Sequence, residues 1–402
     1  MGDGPGLSPR LGRNVLALGA VSFFTDASSE MIYPLLPLFI TTTIGASAVS
    51  VGAIEGAADS VSALLKLASG WLSDRTRRRK PLVVAGYALA SAVRPLVAFA
   101  QSASHVLAIR VTDRVGKGIR GAPRDALIAD SVEPALRGRA FGFHRAADHL
   151  GAVIGPLVAF ALLSWAGFEM RTVFLLAAIP AAIAVVTLIV AVREVSPTAP
   201  GVTSSDGLHA PRRLGGRFFA YLGILLLFTL GNSTDAFLLL RATELGVGAT
   251  LLPVLWAMHH VVKSLTSTPG GILSDRNGRK PVIVAGWMVY AAVYLAFGRA
   301  SEAWHVWVLF AIYGVYFGLT EGVERALVAD LVPADRRGAA FGWYNLAIGL
   351  GALPASVMFG AIYDRFGALT AFTVGAGAAM LASIGLWILI PKPTSPALRS
   401  RS

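Results

Sequence analysis

Long apolar runs return along the whole 402-residue chain, among them "LVAFALLSWAGF" at 157–168 and "VFLLAAIPAAIAVVTLIVAV" at 173–192. In hydrocarbon every backbone N–H and C=O must find an internal partner, so such runs become helices. They are continuous rather than alternating, which excludes a membrane β-barrel. Only 14% of residues are charged, against about 25% in soluble domains. The fold class expected is all-α and polytopic. Twelve spans are expected, at about 14–40, 48–72, 82–100, 104–128, 140–165, 172–192, 217–240, 249–273, 281–299, 304–330, 339–363 and 369–391. Each is long enough to cross the roughly 30 Å of hydrocarbon.

The connections alternate in charge. One set carries Arg10 and Arg13, the 75–80 cluster, Arg137 and Arg139, Arg193 to Arg217, Arg276 to Lys280, Arg336 and Arg337, and Lys392 to Arg401. The other set holds scattered cations such as Arg171, Arg241, Arg299 and Arg365. The positive-inside rule makes the first set cytoplasmic, with both termini inside a cytoplasmic (inner) membrane. That placement accounts for much of the +12 formal charge without a nucleic-acid partner. The short polar start and the lack of a small-residue cleavage site predict a retained first helix.

The segment 196–213 is rich in Pro, Ser and Gly and predicts a flexible cytoplasmic linker. The chain thus divides into an N-terminal six-helix bundle (1–195), a linker (196–216), a C-terminal six-helix bundle (217–392) and a disordered tail (393–402). The bundles repeat. "GWLSDRTRRRKPLVVAGY" (70–87) matches "GILSDRNGRKPVIVAGW" (271–287), "LIADSVEPALRGRAFGF" (127–143) matches "LVADLVPADRRGAAFGW" (327–343), and "ASSEMI" (27–32) matches "NSTDAF" (232–237). Two related bundles meeting around a midplane site is the architecture of a secondary transporter.

At these residues the chain resembles the major facilitator superfamily over nearly its full length. The family's loop signature is matched by Gly70, Leu72, Asp74, Arg75, Arg78 and Arg79, with Arg77 in place of a glycine. The second copy matches at Gly271, Leu273, Asp275, Arg276, Gly278, Arg279 and Lys280. The aspartates can pair with loop arginines and act as a gating latch; the bland reading is that the arginines only set topology. A fourth-span signature resembles "LAIRVTDRVGKG", with Arg110 as the matching arginine. A fifth-span signature of proton-driven exporters resembles "GFHRAADHLGAVIGP", with helix-packing residues Gly151, Gly155 and Pro156, and without its terminal glycine pair.

Span four carries Arg110, Asp113, Arg114, Lys117, Arg120, Arg124 and Asp125. At 100° per residue they fall on an arc of about 140°. An ionised group at the bilayer centre costs roughly 2.5–3.5 kcal/mol on an insertion scale, so seven facing lipid would cost on the order of 20 kcal/mol. The ribbon therefore faces a wet cavity or protein partners, and its cationic excess suggests an anion-attracting wall. Span two adds Glu55, Asp59 and Lys66 on one face, and span eight Trp256, His260 and Lys263. Further intramembrane candidates are Asp26, Glu30, Arg94, Arg145, Asp148, His149, Asp235, Glu321, Glu324 and Arg325. Proton coupling is expected at Asp26, Glu30, Glu55, Asp59 or Asp148. Glu55 and Asp59 can equally serve as partners of Arg110 and Arg114. Arg124, Asp125, Glu324 and Arg325, with Asp130 and Asp330 nearby, suggest a latch between the halves, and Trp256 suggests packing. His149 and His260 are as readily packed neutral groups as proton carriers.

No cysteine, metal-spaced histidine pair, phosphate loop or nucleophile motif appears, so no enzymatic activity, metal or cofactor is expected. The expectation is a monomeric secondary transporter driven by a proton gradient, exporting a small organic solute with an anionic preference. A uniporter or symporter of an anionic metabolite, and a non-translocating receptor, are the alternatives.

Overall fold

A computed structural model describes residues 12–76, 78–132, 137–195, 214–332 and 337–390. The tail at 393–402, most of the linker at 196–216, the Arg77 turn and the side chains of Asp74 and Arg75 lie outside the described residues. Thirteen helices are used below: α1 Arg13–Ile32, α2 Ala48–Thr76, α3 Lys80–Val93, α4 Ala103–Asp130, α5 Arg137–Ser164, α6 Met170–Leu176, α7 Ala178–Ala191, α8 Gly216–Gly231, α9 Ala236–Glu244, α10 Leu252–Asn277, α11 Arg279–Arg299, α12 Ala303–Leu331 and α13 Arg337–Leu389.

Nine segments among the described residues are long and apolar enough to cross a membrane. The expected count of twelve is not reproduced by that measure, for two reasons. Helices α4 and α10 have the length but not the hydropathy, because each carries a polar stripe. The other reason is α13, which is broken at Gly367, where φ is 80° and only glycine is unstrained. The chain folds back there. Gly351 lies against Thr229 and Gly375 against the carbonyl of Gly231, although 24 residues of straight helix would separate them by about 36 Å.

Two of the expected continuous spans are interrupted. The first leaves α1 through a 3-10 turn at Tyr33–Leu35, where Pro34 cannot donate a helical hydrogen bond, and ends in a π turn at Phe39–Thr43. The seventh breaks between α8 and α9 at Asn232–Asp235. Asn, Ser and Thr side chains compete with the helical backbone for its hydrogen bonds, which favours a break. Both interruptions border the central cavity.

Within each half, helices touch through small residues. A Cβ on Gly86 (α3) or Gly116 (α4) would lie 2.6 Å from the other's carbonyl oxygen, so this crossing tolerates no side chain. In α5, Gly151 and Gly155 press against the backbone of α1 at Phe23 and Ala27. Apolar packing completes the halves. An aromatic core around Trp287, Tyr290, Tyr294, Tyr313 and Phe372 fills the second, while Phe39, Phe174 and Tyr87 anchor smaller cores in the first.

Among the described residues the halves meet from one end to the middle of the bundle. Asp364 accepts from the N–H groups of Ala48 and Val49, both at 3.0 Å. Just below, Gly52 and Gly56 of α2 abut Ser356 and Leu353 of α13, and Gly360 abuts Ala48. At the other end no described pair bridges the halves by hydrogen bond or ion pair. There Arg145, Arg325 and Asp125 are each at least half exposed. The open end carries the arginine-rich loops.

The signature arginines and aspartates tie helices together within each half. Arg79 contacts Asp130 and donates to the Ala126 carbonyl at 2.7 Å. At the equivalent positions of the repeat, Arg279 contacts Asp275 and reaches Asp330 at 3.3 Å. Arg78 and Arg276 are exposed and pair with no described residue. Asp130 is 17% exposed and Asp330 41%. Asp130→Asn is therefore expected to lower stability by about 1–2 kcal/mol and Asp330→Asn by less than about 1 kcal/mol. Thermal unfolding of the purified proteins in detergent reads both.

Candidate transport cavity

Two chambers of about 270 and 410 Å³ lie between the halves and share Tyr33, Lys117, Asp235 and Glu321. Helices α1, α4 and α5 of the first half, with α10 and α12 of the second, wall the smaller one. It brings together Asp26, Glu30, Arg94, Asp113, Arg114, Lys117, Arg120, Arg145, Asp148, His149, Asp235, Trp256, His260, Lys263 and Glu321. Lys66 and Asp59 line the larger chamber with Glu324 and Arg325.

The α4 ribbon is shared among three environments. Arg110 is not a cavity residue, contrary to expectation. It is 4% exposed, and its Nε and Nη2 donate to both oxygens of Glu55 at 2.8 and 2.7 Å. Nor does Glu55 line either chamber; it is 2% exposed, and both its oxygens accept from Arg110. Two charges leaving water together need this two-point geometry to offset desolvation. One turn on, Asp113 accepts from Nε and Nη2 of Arg94 at 3.2 and 2.9 Å. Arg94 also donates to the Thr25 carbonyl and to Ser28, so it binds α1 and α4 to the end of α3. Arg114 and Lys117 face the cavity, and Arg114 lies 3.6 Å from Asp59. Arg120 is buried with its guanidinium 4.1 Å over the Tyr87 ring.

The cations of the expected anion-attracting wall do not stand alone. Six carboxylates and six Lys or Arg side chains line the smaller chamber, and several neutralise one another. Lys263 and Glu321 are paired at 2.9 Å, and Arg145 and Asp148 at 3.2 Å. The proposed latch between halves is corrected for this conformer. Arg124 pairs with its neighbour Asp125 at 2.9 Å, and Arg325 with Glu321 at 3.7 Å. Glu324 accepts from Trp287 Nε1 at 2.8 Å and the Tyr344 hydroxyl at 2.9 Å, all within the second half. The open end holds these groups too far apart to pair across it.

Asp26, Glu30 and Asp235 line the smaller chamber without a cationic partner among the described residues. Asp26 (α1) and Asp148 (α5) line the same chamber, and Ser22 donates to Asp148. Glu30 accepts from Trp256 Nε1 at 2.7 Å, a bond that crosses between the halves. Asp235 accepts from the Tyr313 hydroxyl at 2.6 Å. His260 lines the cavity with neither ring nitrogen hydrogen-bonded. Trp256 is thus a hydrogen-bond donor as well as a packing group. Sequence reasoning missed Ser22, Tyr33 and Tyr313. Tyr33 follows Glu30 by one helical turn, a spacing that could have revealed it; Ser22 and Tyr313 carry no local signal.

The Major Facilitator Superfamily model matches residues 18–259 and 220–402. The chain belongs to this superfamily. An uncharacterised transporter of the superfamily from Methanocaldococcus jannaschii is 34% identical over 360 residues, covering 88% of this chain and 89% of the relative. The multidrug resistance protein MdtG of Escherichia fergusonii is 27% identical over 198 residues, 48% of each chain. Among solved structures, the nucleoside transporter NupG superposes with a TM-score of 0.80 at 14% identity, covering 94% of this chain and all of that one, a likeness of fold alone. This superfamily member is a multi-pass membrane transporter of small molecules, and the chambers between its two bundles lie where such folds hold their substrates.

Proposed function

We propose that this superfamily member exports a small organic solute in exchange for protons. It rocks its two bundles about the central cavity in a cytoplasmic membrane, with both termini inside. The observation that carries the coupling is that Asp26 and Asp148 line one chamber, with Ser22 donating to Asp148 and no described cation paired with Asp26. Two carboxyl groups can hydrogen-bond to each other only while one of them holds a proton. Losing that proton separates them electrostatically and changes how α1 sits on α5, the kind of charge event that biases a two-state element. Ser22 and Arg145 keep Asp148 in place.

The conformer and the loops support the export direction. The open end carries the arginine-rich connections, which the positive-inside rule assigns to the cytoplasm. The conformer is then inward-facing, the state in which an exporter loads. The partial exporter signature around Gly151–Pro156 and the multidrug resistance name of the partial relative support the same reading.

The full chain in proteoliposomes, with an internal pH dye and a panel of small organic cations, anions and zwitterions, tests it. Solute addition is expected to drive proton movement, and an imposed pH gradient to drive solute flux. Asp26→Asn or Asp148→Asn should abolish gradient-driven flux and leave solute counterflow intact. Flux indifferent to the gradient in the native chain would defeat the coupling.

A further inference from the structure

With its ion pairs set aside, the smaller chamber separates into two unlike surfaces. On one, Glu30 and Asp235 carry no cation and are held only by neutral donors, the Trp256 indole and the Tyr313 hydroxyl. Tyr33 leans against Trp256 with ring centroids 5.0 Å apart. Carboxylates framed by aromatic rings attract a cation by charge and by the ring quadrupole together. On the other surface, Lys117 is exposed into the cavity and pairs with no carboxylate among the described residues. Beside it Arg120 is only 5% exposed, yet its Nη1 has no hydrogen-bond partner. A buried guanidinium N–H without an acceptor is costly, and an incoming anionic group would supply one. The chamber, at about 270 Å³, is just below the roughly 300–1,000 Å³ typical of ligand pockets, which suits a small ligand.

We propose that the cavity takes a small zwitterion, its cationic nitrogen between Glu30, Asp235 and Trp256 and its anionic group at Lys117 and Arg120. This rests on the central cavity being the transport site, but not on proton coupling. The aromatic wall suits an amine, and the α4 wall suits a carboxylate or phosphate. A ligand with one charge leaves the opposite surface unanswered, and differential pairing of this kind is what gives specificity.

Binding is tested without a gradient, on the detergent-solubilised full chain, so that failure of coupling and failure of this proposal stay distinct. The probes are ω-amino acids of three to eight carbons, the matching n-alkylamines and the matching n-alkanoates, titrated by calorimetry. At least one ω-amino acid is expected to bind ten-fold or more tightly than both its single-charge analogues. Lys117→Gln should remove the advantage over the amine, and Glu30→Gln, which still accepts from Trp256, the advantage over the alkanoate. Equal binding of an analogue across the series, no binding of any ω-amino acid at millimolar concentration, or unchanged preferences in both variants would overturn the proposal.

Discussion

Arg110→Met is expected to destabilise the protein by about 3–5 kcal/mol, because it strands the Glu55 carboxylate in the packed wall between α2 and α4. Glu55 is 2% exposed, and Arg110 supplies two hydrogen bonds at 2.8 and 2.7 Å. Glu55→Gln should cost less. The Arg110 charge it leaves behind still has Asp113 at 3.7 Å, and the amide still accepts one hydrogen bond. The double variant Glu55→Leu/Arg110→Met should recover most of the loss, since replacing both members of a buried pair with apolar groups is often neutral. Thermal unfolding in detergent orders the three. A double variant no more stable than Arg110→Met would show that the pair is not acting as a unit.

Gly360→Trp, or Gly56→Trp, should stop transport without unfolding the protein. A Cβ on Gly56 would sit 2.8 Å from Leu353 Cα, and one on Gly360 2.8 Å from the Ala48 carbonyl oxygen, both at the closed end. Overpacking costs about 1–3 kcal/mol, which moves a two-state equilibrium by roughly 5- to 150-fold. The strain falls only on the conformer in which this end is shut, so the population shifts to its opposite. Gly223→Leu is the control, since nothing lies within 4 Å of a Cβ there. Flux should fall by about the same 5- to 150-fold as the population, with the unfolding temperature close to that of the control. Retained flux in both tryptophan variants would mean that this contact does not open during the cycle.

Much of this architecture was legible because membrane helices advertise themselves by length and apolarity, and because the repeat sets positions 200 apart in equivalent places. The cavity was only partly legible, and α4 shows why. Periodicity put seven charges on one arc, which gives direction around the helix axis but not depth along it. The structure places Arg110 in a dry pair with Glu55, Asp113, Arg114, Lys117 and Arg120 on the cavity wall, with Asp113 held by Arg94 and Arg120 over the Tyr87 ring, and Arg124 at the open end. Nor can one sequence say which partner a charge finds. Glu324, opposite Arg124 by repeat position, went instead to Trp287 and Tyr344, two residues that hydropathy counts as core. The closing contact of Asp364 on the start of α2 spans more than 300 positions and carries no local pattern.

The central claim is that α4 lines a watery passage whose access alternates between the two ends. The chain has no cysteine, so any introduced thiol is a unique reporter. Lys117→Cys, in sealed vesicles of known orientation, is to be challenged with a membrane-impermeant thiol reagent added to either face, alone and combined with Gly360→Trp. Labelling is expected from the arginine-rich face in the single variant, and chiefly from the opposite face once Gly360→Trp is added. A thiol labelled from neither face, or from the same face in both backgrounds, would contradict the claim.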